Sequence, residues 1–175
     1  MSYIIEYIKK EYGDSFTSGT FYDMGSGSGK GVICASLLYP FSQCIGIEYL
    51  EDLHSIALDV HSKYTNRIET VMSEYSSLFE AFTKPVPVTF KQGDFLNEKW
   101  HDASLILCNS TCFNVELMVQ IGKKVNKECQ SGTVVITFTK RIPGLTTDWE
   151  IREPFRRLMS WGVATIYIHR RISSE

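Results

Sequence analysis

The sequence contains no run of about 18 consecutive apolar residues, which is the length that a membrane-spanning helix needs. Its first twelve residues alternate apolar with charged side chains, which is not the pattern of a signal peptide. Hydrophobic residues make up 43% of the 175 residues and charged residues 22%, a balance typical of a soluble globular protein. We therefore expect no membrane partner, and one domain over residues 1–175 with a sizeable core.

Cysteine is scarce, and its five residues lie mostly inside apolar stretches (Cys34, Cys44, Cys108, Cys112 and Cys129). Reduced, buried thiols in an intracellular protein are the expected state. Cys108 and Cys112 are four residues apart, but no second pair of cysteines or histidines at ligand spacing completes a metal site. We therefore expect that the protein holds no metal.

Glycine, in contrast, is clustered in one stretch. Residues 20–31, TFYDMGSGSGKG, run from a β-rich segment through Asp23 into four glycines at alternate positions. This pattern predicts a turn from a strand into a helix. Glycine has no side chain and adopts backbone angles that other residues avoid, so main-chain N–H groups can approach a ligand at the positive N-terminus of the helix. The stretch therefore predicts a site for a nucleotide.

The spacing of these glycines excludes two nucleotide-binding motifs. A phosphate-binding P-loop, Gly-x-x-x-x-Gly-Lys-[Ser/Thr], would need glycine at Met24 and a hydroxyl at Gly31. The dinucleotide motif, Gly-x-Gly-x-x-Gly, would need its last glycine at Lys30 or Val32. Neither a P-loop nor a dinucleotide site is therefore expected.

The pattern that fits is Asp-x-Gly-x-Gly-x-Gly, which resembles motif I of S-adenosylmethionine-dependent methyltransferases with the Rossmann-like fold. In that family the aspartate lies beneath the sulfonium and amino group of the cofactor, and the glycines admit its methionine moiety. The resemblance implies S-adenosyl-L-methionine as cofactor and an α/β fold, with a mostly parallel, seven-stranded type of sheet and helices on both faces. It also implies a set of cofactor-binding residues: Asp23, Gly25, Ser26, Gly27 and Gly29.

Two further strands are expected to bring acids to the same site. Gln43–Glu48 is a buried strand whose last residue, Glu48, lies 19 residues beyond Gly29, where such folds place a carboxylate on the ribose hydroxyls. The strand predicted over residues 88–91 leads into Asp94 and Phe95. Because ligands lie across the carboxyl ends of parallel strands, we expect Asp94 to accept from the adenine amino group and Phe95 to stack on the ring.

The segments between these strands have helical periodicity. We predict a first helix over residues 4–12, and a second over residues 32–38 that ends at Pro40. From Leu50 to Phe82, apolar residues recur at steps of three and four, which predicts one long amphipathic helix, or two with a break near Thr65 and Asn66. A helix over residues 115–127 and a strand over residues 133–139 follow.

Three motifs resemble one methyltransferase family in particular, the disruptor-of-telomeric-silencing histone-lysine methyltransferases, which form the non-SET class. The first is Gly-Asp-Phe-Leu-x-x-x-Trp at residues 93–100, after an unusually long helix. The second follows the strand predicted over residues 104–108, where the family's Asn-Asn-Phe-Ala-Phe is Asn-Ser-Thr-Cys-Phe, so that Asn109 and Phe113 match. The third is Ser160-Trp161 with Tyr167, although the family's channel-lining tyrosine is Ile166 here.

This resemblance implies methyl transfer to a histone lysine in chromatin, with Asn109, Phe113 and Tyr167 as catalytic residues and Asn109 also on the cofactor. It implies a nuclear protein; otherwise we expect a cytoplasmic one. The other acceptors that we consider are a nucleic-acid base and a small molecule. A homologue that binds the cofactor without catalysis is the third hypothesis.

Two features bear on the partners of the protein. Residues 140–175 hold seven basic and four acidic side chains, a local charge of +3. This charge is consistent with an acidic partner such as a nucleosome, and equally with a solvated surface that binds no partner. Family members also carry a helical N-terminal lid over the cofactor, whereas only the helix at residues 4–12 precedes motif I here. We expect a partner or a missing N-terminal region to supply the lid.

Overall fold

The computed structural model describes residues 2–78, 84–159 and 162–172. The predicted end of the long helical segment at Phe82 and the Ser160-Trp161 motif lie outside these residues. In chain order, the helices and strands are α1 (Ser2–Tyr12), β1 (Thr20–Met24), α2 (Lys30–Leu38), β2 (Gln43–Glu48), α3 (Glu51–Thr65), α4 (Ile68–Glu74), β3 (Val88–Gln92), β4 (Ala103–Cys108), α5 (Val115–Glu128), β5 (Val134–Phe138), β6 (Trp149–Ile151), β7 (Phe155–Met159) and β8 (Gly162–Arg171).

The described strands form one sheet in the order β3-β2-β1-β4-β5-β8-β6, with β7 also paired to β8. Strands β1 to β5 are parallel, and β8 is antiparallel to its neighbours. Since β6 and β7 pair with successive stretches of β8, together they fill the place of one edge strand. Pro154 separates them because proline has no N–H for the ladder. The predicted seven-stranded type of sheet is confirmed, with one strand in two pieces.

The sheet is covered on both faces, as predicted. Alternate residues of the buried strands contribute to two separate apolar cores. One core receives α1, α2 and α3, through residues such as Ile8, Val32 and Ala57. The other core receives α5, through residues such as Ile121 and Val125. Because the helices cover the two faces of the sheet, the edge formed by the carboxyl ends of the parallel strands remains available for a site.

The described part of the long periodic segment forms two helices, which is the second of the two predicted alternatives, although α4 ends at Glu74, before the predicted end at Phe82. Helix α3 ends at Thr65, and the next two residues close its last turn by hydrogen bonds from Asn66 N–H to Ser62 O at 3.1 Å and from Arg67 N–H to Tyr64 O at 3.1 Å. Among the described helices, none combines the length and apolar character that crossing a membrane requires.

Candidate cofactor and acceptor site

Asp23 lies near the carboxyl end of β1 and is almost fully buried, with 4% of its surface exposed. Its carboxylate faces the first turn of α2, since a Cβ atom added to Gly31 would lie 2.3 Å from Asp23 Oδ2. Burial, and next the charge of Glu48, raise the pKa of Asp23 to about 8. A cationic ligand beside Asp23 would stabilise the charged form of this buried acid.

The glycine turn between β1 and α2 is tied to the neighbouring strand β2. The N–H groups of Gly25 and Ser26 both donate to Ile47 O, at 2.9 and 3.1 Å. Gly25 has φ +76°, a conformation that favours glycine. The Ser26 Oγ atom is buried and has no hydrogen-bond partner among the described residues, which leaves a polar group that a ligand can satisfy.

Gly29 is required by packing. A Cβ atom there would lie 2.5 Å from Cζ of Phe90 on β3 and 3.3 Å from the Ala57 Cβ on α3. Gly29 also has φ +80°, so that both its backbone angle and its packing favour glycine.

Glu48, at the end of β2, is buried with 7% of its surface exposed. Its Oε2 accepts a hydrogen bond from Gly27 N–H at 2.8 Å, and its Oε1 accepts one from Leu50 N–H at 2.9 Å. Each carboxylate oxygen has two lone pairs, so Glu48 keeps capacity for hydroxyl donors while it holds the turn. This geometry fits the predicted binding of a ribose.

Asp94 lies beside Glu48 because Gly93 N–H donates to Glu48 O at 2.9 Å. The Asp94 Oδ1 atom accepts from Leu96 N–H at 2.8 Å and caps the short turn Phe95–Asn97. The two acids that were predicted to bind the adenosine therefore lie at adjacent strand ends.

Phe95 is buried, and its ring stacks on the ring of Phe113 with a centroid distance of 5.8 Å and an interplanar angle of 29°. Phe113 also reaches motif I, since a Cβ atom on Gly25 would lie 3.2 Å from Phe113 Cζ. The sequence predicted Phe95 for the adenine and Phe113 for the acceptor, and the structure brings the two rings together beside Gly25.

A cavity of about 530 Å³ opens at this edge of the sheet, a size suited to a small-molecule ligand. Its polar wall includes Asp23, Gly25, Ser26, Gly27 and Asn109. The remaining lining residues are Ser28, Lys30, Gly31, Leu107, Phe138, Leu158 and Met159. The site therefore joins motif I to the segment after β4 in one cavity.

The segment after β4, residues 109–113, is called the acceptor segment from here on. Asn109 is half-buried, lines the cavity and accepts from Thr111 Oγ1 at 3.0 Å through its Oδ1. Ser110, which stands where the resembled family has its second asparagine, is fully buried and donates to Phe138 O at 2.7 Å. Ser110 thus joins β4 to β5.

Tyr167 does not line this cavity. It lies on β8 opposite Thr137, and its ring stacks on His169 at a centroid distance of 6.5 Å. The adjacent Ile166 points to the other face of the sheet and is fully buried in the core that contains α1. A catalytic role for Tyr167 stays a prediction.

Several cavity residues were not predicted from the sequence. Leu158 and Met159 reach the cavity from the β7–β8 hairpin, and Leu158 is 81% exposed. Lys30 brings a positive charge to the start of α2. No local signal in the sequence marks the hairpin residues, because only long-range pairing places them at the site. Within the described ranges, no group of three or more histidine, cysteine or acidic residues is arranged to hold a metal ion.

Comparison with known proteins gives a family match. The family model for histone methylation protein DOT1 matches residues 8–153. A histone-lysine N-methyltransferase from Caenorhabditis elegans, specific for H3 lysine-79, is 27% identical to this chain over 123 residues. That match covers 67% of this chain and 12% of the relative, so the chain spans about an eighth of that protein's length.

Solved structures resemble the whole fold at low sequence identity. An RNA methyltransferase from Salinibacter ruber, in complex with S-adenosyl-L-homocysteine, has a TM-score of 0.64 at 17% identity and covers 98% of this chain and 92% of its own. A putative methyltransferase from Escherichia coli has a TM-score of 0.60 at 11% identity and covers 99% of this chain and 87% of its own. These likenesses confirm the predicted Rossmann-like fold.

Proposed function

The chain belongs to the DOT1 family of histone methylation proteins, and we propose that it transfers a methyl group to a lysine side chain of a histone. Family membership supports two of the predictions, that the chain is a methyltransferase and that its cofactor is S-adenosyl-L-methionine. The proposal of a lysine acceptor rests on one observation, that Asn109 and the motif I turn line the same cavity.

The described residues fit this cofactor. Glu48 and Asp94 offer acceptors for the ribose hydroxyls and the adenine amino group. Asp23 offers a buried carboxylate to a cationic amino group, and Lys30 offers a cation to the carboxylate of the same ligand. Ser26 supplies a buried hydroxyl without a partner among the described residues. When bound, S-adenosyl-L-methionine supplies an electrophilic methyl group on its sulfonium.

The acceptor side of the cavity is suited to an amine. A lysine must lose its proton and most of its water before it can attack a methyl group, and apolar surroundings favour the neutral amine. Leu107, Phe138 and Met159 provide such surroundings. The side-chain oxygen of Asn109 holds the amine, and alignment of this kind is worth about 7–11 kcal/mol in favourable cases.

The histone acceptor and a nuclear, chromatin-bound setting are supported by the C. elegans relative, which shares only part of its length with this chain. The positive charge of residues 140–175 is complementary to an acidic particle such as a nucleosome. We propose in addition that a further segment or a partner covers the cofactor, since the cavity is open to solvent beside the exposed Leu158.

The test is transfer of tritium from labelled S-adenosylmethionine to nucleosomes, free histones and RNA. We expect label on a lysine of nucleosomal or free histones. Label on RNA alone would indicate that the acceptor is a nucleic-acid base. No label despite measured cofactor binding would indicate a catalytically inactive homologue.

Asn109→Ala tests the positioning role in the same assay. The variant should lose most of its transfer rate, by a larger factor than it loses affinity for S-adenosylhomocysteine. Asn66→Ala, which removes an exposed asparagine after α3, is the matched control and should transfer normally. Unchanged lysine methylation by Asn109→Ala would remove Asn109 from the mechanism.

A further inference from the structure

The end of β5 is joined to the acceptor segment by the three consecutive residues Phe138, Thr139 and Lys140. Phe138 O accepts from Ser110 Oγ at 2.7 Å, and Thr139 Oγ1 lies 3.1 Å from Thr111 Oγ1. The Lys140 Nζ atom donates to Thr111 O at 3.3 Å and also to Phe113 O. Each of the three residues therefore makes its own link to the segment that contains Asn109.

The backbone at Thr139 has an unusual conformation that serves this arrangement. Its φ is +68°, and Thr139 is the one non-glycine residue with positive φ in the part of the chain that the structure describes. This conformation is costly for a β-branched residue and persists where the surroundings enforce it, often at functional sites. Here Thr139 N–H donates to Thr165 O at 2.7 Å, and Thr137 Oγ1 donates to Lys140 O at 2.6 Å. The chain thereby turns so that Lys140 reaches the acceptor segment.

Lys140 is half-buried and takes part in none of the ion pairs found among the described residues. Its ammonium group is instead used on two main-chain carbonyls. Hydrogen bonds with a charged donor are about twice as strong as neutral ones. A half-buried lysine that binds backbone oxygen atoms therefore fixes the course of the chain from Thr111 to Phe113.

We propose that Lys140 is a positioning residue for methyl transfer, which holds the acceptor segment so that Asn109 keeps its place at the cavity and Phe113 keeps its place beside Gly25. This inference rests on the proposed function for its catalytic consequence. Lys140 acts through the carbonyls of Thr111 and Phe113, and it binds neither the cofactor nor the acceptor.

Three variants test this role. Lys140→Met keeps the length of the side chain but removes its hydrogen-bond donors, whereas Lys140→Arg keeps donors and charge. Lys123→Met, on the exposed face of α5, is the control. Amide hydrogen exchange of the acceptor segment is measured without ligand. Because two charge-assisted hydrogen bonds are lost, we expect Lys140→Met to exchange at least about tenfold faster. Its kcat should fall by a similar factor, while affinity for S-adenosylhomocysteine stays within about twofold of the wild type. Lys140→Arg should recover most of both losses, and Lys123→Met should match the wild type.

Unchanged exchange in Lys140→Met would overturn the proposal, as would a fall in kcat that only parallels a loss of cofactor affinity. Thermal denaturation shows whether each variant folds. Should Lys140→Met unfold, Lys140→Gln carries the same test, because its shorter, uncharged amide cannot hold both carbonyls. If the wild type methylates none of the acceptors tested, the proposed function fails, whereas the exchange measurement still decides the role of Lys140.

Discussion

Glu48 Oε2 accepts a hydrogen bond from Gly27 N–H at 2.8 Å, although 21 residues separate the two in the chain. The carboxylate that is expected to bind the ribose is therefore the same group that fixes the glycine turn. Loss of this acid should affect the binding site twice, through the missing acceptor and through the released turn.

Glu48→Gln tests this double role. The amide nitrogen cannot accept a hydrogen bond, so either the half-buried Gly27 N–H or the Leu50 N–H loses its partner on the carboxylate. A hydrogen bond to a charged group is worth about 1.5–3 kcal/mol, which predicts binding of S-adenosylhomocysteine that is about ten- to a hundredfold weaker. Isothermal titration calorimetry measures the affinity. Glu98→Gln, which removes an acid paired with Lys91 at the surface, is the control and should bind normally.

Gly31→Ala tests the position of the Asp23 carboxylate. The new Cβ atom would lie 2.3 Å from Asp23 Oδ2, so the carboxylate must move away from the place where we expect it to meet the cofactor. The dissociation constant of S-adenosylhomocysteine should rise at least about tenfold, the equivalent of 1.4 kcal/mol.

The control for Gly31→Ala is Gly132→Ala, at the opposite edge of the sheet. Gly132 has φ +90° and nothing within 4 Å of an added Cβ atom, so its substitution strains the backbone without a steric contact. This variant should melt at a lower temperature and bind the ligand normally. Equal affinities in the two variants would show that the carboxylate's place does not matter.

Asp23 should make the ligand-free protein less stable as the pH rises. Its pKa is about 8 in the folded chain and 3.8 as a free side chain, so between these values the folded state keeps a proton that the unfolded state has lost. Stability then falls with rising pH, until the pH passes 8. Burial lowers the pKa of His169 to about 4, so this histidine makes the stability rise with pH below pH 6.5. Between pH 6.5 and 8 the effect of Asp23 can therefore be measured without that of His169.

Melting temperatures of the ligand-free wild type and of Asp23→Asn, measured from pH 6.5 to 8, check this effect. The wild type should lose stability relative to the variant across the window, because the amide side chain of the variant does not titrate. Parallel curves would mean that Asp23 is already ionised in the folded protein.

Much of the fold could be predicted because its signals are local. The glycines after Asp23 fix a strand-to-helix turn, and β2 has the predicted bounds because it is a short apolar run that ends in an acid. Glu48 and Asp94 follow from topology, since parallel strands bring their carboxyl ends to one edge.

The remaining parts of the site depend on contacts between distant residues. The β7–β8 hairpin brings Leu158 to the cavity, and no pattern in residues 155–171 predicts where that hairpin lies. The stacking of Phe113 on Phe95 and the contacts of Lys140 likewise join segments that are 18 and 27 or more residues apart. Sequence periodicity describes the face on which a residue lies, but it does not describe which distant side chain that residue meets.

The most direct test is calorimetric titration of the purified chain with S-adenosylhomocysteine, NAD and ATP in parallel. We expect S-adenosylhomocysteine to bind with a stoichiometry of about one per chain, as a single site requires, and to stabilise the fold by about 2.7 kcal/mol at a hundred times its dissociation constant. NAD and ATP should give no heat of binding. Binding of either phosphate-containing ligand in place of S-adenosylhomocysteine would contradict the assignment of this site.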